Sequence, residues 1–173
     1  MKEFTPKKIA ALAVMAALIV CGKLALDFIA NVEVVSLFCA LFGYVFGLCA
    51  IIPTTVFCLI SGAFWGYNLW VITYLIHFNC IVAVFWLLSK KSLKKPYITA
   101  PIICVMTFLF GVLDAFTVTI ISGLDNFFYR FFVYYARGIV FVIVHVVSNV
   151  IVFILLFNLL ENLLQKVKFK LKL

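Results

Sequence analysis

Apolar residues run through this chain in long stretches separated by short polar clusters, and a helix needs about 20 of them to cross the hydrocarbon core of a bilayer. Residues 9–28 make a first span. Residues 34–63 are too long for one comfortable crossing and are punctuated by Gly43, Gly47 and Pro53. A split near Gly47 gives two short helices, 34–47 and 48–63. A fourth span, 69–88, is entered through Phe64-Trp65-Gly66-Tyr67-Asn68, an aromatic turn suited to a membrane interface. Spans at 98–122 and 132–160 follow, the last running into a lysine-rich tail.

Lysine supports the split. It falls in three clusters, Lys2/Lys7/Lys8, Lys90/Lys91/Lys94/Lys95 and Lys166/Lys168/Lys170/Lys172. Cytoplasmic loops collect Lys and Arg, so clusters on one face must be separated by an even number of spans. Two crossings between 34 and 63 satisfy that parity and one does not. The expectation is an all-α integral membrane protein, a compact six-helix transmembrane bundle with both termini cytoplasmic, forming a single domain over 1–173. The three outer loops then hold Asp27, Asn31 and Glu33, the Trp65 turn, and residues 123–130.

Composition agrees. The chain is 68% hydrophobic and 12% charged, too little polar surface for a water-soluble globule. Its net charge of +8 sits at the ends of apolar runs, where it orients helices and meets anionic lipid rather than nucleic acid. The first apolar stretch is longer than a signal-peptide core and reads as a retained helix. Cys21, Cys39, Cys49, Cys58, Cys80 and Cys104 lie in or beside apolar runs without C-x-x-C spacing and read as small core residues. No ATP-binding loop or soluble domain is evident, so energy for active transport has to come from a partner.

Ionisable residues at membrane depth nominate a site, because they are expensive there. Lys23, Asp114 and Arg137 fall toward the outer leaflet, and His77, Asn79, His145 and Asn149 near mid-membrane. Arg137, Phe141, His145 and Asn149 recur every four residues along one face of the sixth helix, and Trp70, Tyr74 and His77 share a face of the fourth. Together they describe an outward pocket with aromatic walls, closed by the loop carrying Asn31 and Glu33 and by the Trp65 turn. Both signs of charge favour a zwitterion or a heterocycle with a polar tail. The plainer alternatives are that Lys23 and Arg137 snorkel, that Asp114 forms an ion pair with one of them, and that His145 and Asn149 are interhelical hydrogen-bond glue. Trp65, Tyr67, Trp70, Tyr129 and Tyr134 read as an interfacial belt, and Asp27 and Glu33 as solvated loop charges. The two histidines have no third ligand at metal spacing, so neither metal nor cofactor is expected.

The first helix carries Ala10, Ala13, Ala16 and Ala17. Its small-x-x-x-small pair Ala13/Ala17 permits close approach of another helix, from this bundle or from a partner. This basic, alanine-rich start resembles the S component of energy-coupling factor (ECF) transporters. So do six spans in a short chain, Asn31-Val32-Glu33, the Trp65–Trp70 turn and His145-Val146-Val147-Ser148-Asn149. The resemblance covers the whole chain. It implies a subunit of a prokaryotic cytoplasmic membrane that captures a vitamin or related micronutrient outside. Such a subunit docks through Ala13 and Ala17 on a transmembrane coupling subunit that carries two ATPases. A self-sufficient facilitator or proton-coupled carrier using Asp114, an intramembrane hydrolase using His77, His145 and Asp114, and a purely structural subunit are the alternatives. The hydrolase is disfavoured by the absence of a recognisable nucleophile motif.

Overall fold

In the computed structural model, residues 5–171 are described, and no strand occurs among them. Lys2 and Lys172, members of two of the lysine clusters, lie outside the described residues. The helices are α1 (Pro6–Leu26), α2 (Val35–Phe46), α3 (Ile51–Trp65), α4 (Leu69–Lys90), α5 (Pro96–Ile121) and α6 (Phe127–Leu171). A short 3-10 turn, Gly47–Ala50, joins α2 to α3. The Thr5 side chain caps α1 by accepting from the Lys8 amide, with Pro6 at the first helical position, where its missing N–H is harmless. Asn68 caps α4 in the same sense. Pro96 opens α5.

The chain supplies five stretches long and apolar enough to cross a bilayer, because 35–65 counts as one stretch of 31 residues. That is one fewer than the six spans read from the sequence. Alone, α2 and α3 measure only about 18 and 22 Å at 1.5 Å per residue. The stretch is nonetheless not straight. Gly47 has φ of +78°, a conformation that ends an L-residue helix, and the chain reverses there. The Thr54 hydroxyl of α3 comes back to the Cys39 sulfur of α2 at 3.7 Å. Both helices then lie along α4, α2 through Gly43 against Val82 and α3 through Phe57 against Tyr74 and Phe78.

The two segments flank a core in which α2 is central. It touches α1, α4 and α6, and ten of its twelve residues are buried. Phe42, Phe57, Phe78, Phe85, Phe153 and Phe157 fill the middle of the bundle. On α6 the inward ridge is His145, Asn149, Phe153, Phe157 and Glu161, one residue every fourth position. The outward side exposes Val147, Ile151, Leu155 and Leu159, as a lipid-facing helix does.

One end of the bundle is basic. Lys94 pairs with buried Glu161 at 3.0 Å, Lys90 sits 3.8 Å from the centre of the Trp86 ring, and Lys168 donates to the Val45 carbonyl at the end of α2. Helix α6 is longer than the expected 132–160 at both ends. Its 45 residues extend about 67 Å, so it begins inside the expected 123–130 loop and carries the lysine tail as helix.

Candidate functional site

At the opposite end, the late start of α2 shapes the molecule. Residues 27–34 cross the bundle as irregular chain, held by the Ser148 hydroxyl donating to the Asn31 carbonyl at 3.1 Å and by a left-handed Asn31 with φ of 59°. Because α2 fills the centre only from Val35 onward, α5 and α6 enclose a cavity of about 440 Å³ beside this segment. Asn31, Asp114, Arg137, Phe141 and His145, five of the residues expected to form a pocket, line it together. Phe110, Gly111, Tyr134, Tyr135, Gly138 and Val142 complete the lining. A recess of about 270 Å³ adjoins it, sharing Tyr134 and Arg137 and reaching Arg130.

The carboxylate of Asp114 accepts from the Thr73 hydroxyl at 3.3 Å and the Tyr134 hydroxyl at 3.2 Å. It forms no ion pair with Lys23 or Arg137, against that expectation; the donors are neutral. Lys23 turns instead to Asp27, 3.5 Å away, and toward the Trp65 ring, 6.0 Å from its centre. With Trp70 and Tyr74 it borders a separate recess of about 190 Å³. Lys23, Trp70 and Tyr74 therefore do not join the cavity of Arg137, because Tyr74 packs on the other side of Phe110 at 5.9 Å. Arg137 has no hydrogen-bond or ion-pair partner among the described residues. The Tyr135 hydroxyl is buried without one.

The floor is a buried polar network. Glu33 Oε1 lies 3.1 Å from His145 Nε2 and accepts from the Ser36 hydroxyl at 2.6 Å. Asn149 donates to Thr107 at 3.1 Å and to Ser36 at 3.4 Å. Glu33 is not a solvated loop charge: it is 6% exposed. Burial alone would push its carboxyl up, but the His145 hydrogen bond and charge, with Ser36 and Lys23, more than offset this. They hold it at about 2, below the ordinary 4.5. Asn149 is wholly buried beneath the cavity and acts as the interhelical glue that was the alternative for it. His77 is also buried, its Nε2 without a partner, and Phe110 stands between it and the cavity at 4.9 Å, ring to ring.

Tyr134 was expected in an interfacial belt and instead holds Asp114. The signal was there: it stands three residues before Arg137, one turn along the same ridge. Gly111 and Gly138 carried a weaker one, as glycines inside otherwise apolar helices. The single hydroxyl proton of Ser148 is shared between the Asn31 and His145 carbonyls, at 3.1 and 3.0 Å, so the hydroxyl fastens the loop to α6. No group of three or more His, Cys, Asp or Glu at metal-binding distance occurs among the described residues.

On α1, Leu12, Met15, Ala16 and Ile19 are buried, whereas Ala10, Ala13 and Ala17 are exposed. Packing within this bundle does not use the Ala13/Ala17 pair. No family model matches the chain, and no curated protein or solved structure matches it either.

Proposed function

We propose that this protein is a substrate-capture subunit of the ECF type. It binds a vitamin-like small solute in the cavity between α5 and α6 and delivers it to a transmembrane coupling subunit served by two ATPases. In this reading α2 and α3 are two short crossings, the basic end is cytoplasmic, and the cavity faces outward. The observation that carries the proposal is a cavity of about 440 Å³, the size range of small-molecule sites, where the Arg137 head group and the Tyr135 hydroxyl have no hydrogen-bond partner among the described residues. Polar groups left unmatched at membrane depth are costly unless a ligand or water satisfies them.

The exposed Ala13/Ala17 face supports a helical partner, since a small-residue ridge unused inside the bundle lets a second helix approach closely. The chemistry is affinity rather than bond-breaking. The Ser148 proton is shared between two backbone carbonyls, and the His145 ring nitrogen that faces Glu33 is taken up by it.

Native mass spectrometry of protein purified from cells grown in rich medium tests the proposal. A discrete, stoichiometric small-molecule mass is expected. Apo protein with only lipid adducts would count against capture. The rival reading, a proton-coupled carrier, draws on Asp114, a half-buried carboxylate with neutral donors only. Solute uptake by vesicles containing this protein alone would favour that carrier, and its absence favours the capture subunit.

A further inference from the structure

The polar groups of the cavity are unequally satisfied, and the imbalance specifies a charge. Asp114 already accepts two hydroxyl hydrogen bonds, one on each oxygen, so it has acceptor capacity left for an N–H donor and does not require a full cation. Arg137 has no hydrogen-bond or ion-pair partner among the described residues. It is exposed and borders both the main cavity and the adjoining recess, beside the Tyr134 hydroxyl and Asp114. A guanidinium so placed lacks its counter-ion, and its planar fork fits a carboxylate through two parallel hydrogen bonds. The Tyr135 hydroxyl, buried in the same wall without a partner among the described residues, is a further unused donor.

The rest of the wall suits a flat ring. Phe110 and Phe141 are apolar faces of the cavity. A Cβ built at Gly138, which also lines it, would meet nothing within 4 Å, so the glycine leaves open space where another residue would fill it. Resting on the capture reading, we infer that the ligand is an aromatic or heteroaromatic carboxylate. Its carboxylate sits on Arg137 with Tyr135 as a second donor, its ring lies against Phe110 and Phe141, and a ring N–H is directed to Asp114. This narrows the zwitterion expected from the sequence: the ligand brings the negative charge, and Asp114 takes a neutral donor.

The test is calorimetric titration of the purified, dialysed protein with indole-3-carboxylate and with its uncharged isostere indole-3-carboxamide. The carboxylate is expected to bind at least tenfold more tightly. Arg137→Gln should erase that preference without lowering the unfolding temperature of the probe-free protein. Tyr135→Phe should weaken the carboxylate severalfold, and serves should the arginine variant fail to fold. Asp114→Asn should keep the preference for the charged probe. Equal binding of the two probes, or binding of neither at millimolar concentration, overturns the inference. Mass spectrometry separates this from the capture reading itself: a co-purified neutral or cationic compound would refute the charge assignment while leaving capture standing.

Discussion

At the scale of single residues, Glu33 has the most to lose from its position. A carboxylate taken out of water is destabilising unless it is paired and hydrogen-bonded, and Glu33 has both His145 at 3.1 Å and Ser36 at 2.6 Å. Its carboxyl, held at about 2 against an ordinary 4.5, contributes stability that is complete above the unfolded value. That contribution is lost as pH falls through the folded one. The unfolding temperature of the wild type should therefore exceed that of Glu33→Gln at pH 5, with the margin shrinking as pH falls below about 4.5. A margin independent of pH down to 3 would mean that Glu33 is not charged in the fold. Arg137, Phe141 and His145 were legible in the sequence because a spacing of four defines a helix ridge whatever surrounds it. The burial of Glu33 was not, since nothing local marks an irregular segment as turning inward, and Lys23 was misplaced because its partner Asp27 lies one turn away on a helix end.

At the scale of the helix, glycine positions decide which contacts are possible. A Cβ on Gly43 would lie 2.5 Å from the Val82 carbonyl oxygen, so α2 and α4 touch backbone to backbone and cannot relax by moving a side chain. Gly43→Ala should destabilise by about 1–3 kcal/mol, the usual range for overpacking. Gly138→Ala meets open space and replaces glycine by the best helix former, so it should leave stability unchanged or raise it by up to about 1 kcal/mol. Its methyl group should also weaken ligand binding, since Gly138 lines the cavity. Denaturant or thermal unfolding of both variants, with the ligand titration, separates the two roles. A Gly43→Ala protein as stable as the parent would show that α2 is free to shift from α4. The break at Gly47 was readable from the sequence, because excessive apolar length and a glycine coincide there. The full length of α6 was not, because the aromatic start and the lysine tail look like interface and loop while the same residues continue an unbroken helix.

At the scale of the whole molecule, the reversal at Gly47 and the placement of lysine make one joint claim. Helix α1 starts with Lys7 and Lys8, α4 ends at Lys90, and α6 ends with Lys168 and Lys170, so these clusters gather at one end if α2 and α3 run in opposite directions. If α2 and α3 cross separately, four crossings lie between Thr5 and Ser92, and the two face the same compartment. If 35–65 crosses once, there are three, and they face opposite compartments. Either way Asn126, one crossing beyond Ser92, lies opposite it. Thr5, Ser92 and Asn126 are all exposed and so open to labelling. Thr5→Cys gives up the cap on α1, and Ser92 and Asn126 have left-handed backbone, with φ of 54° and 53°, so each cysteine variant is first checked for folding. With the exposed Cys21 and Cys80 changed to alanine, a membrane-impermeant maleimide added to intact cells should label Asn126→Cys alone. Thr5→Cys and Ser92→Cys should react only after the membrane is opened. Labelling of Ser92→Cys but not Thr5→Cys on intact cells would make the 35–65 stretch a single crossing. Lys90, Lys91, Lys94 and Lys95 would then lie outside, and the cavity between α5 and α6 would open to the cytoplasm, which an uptake subunit cannot use for capture.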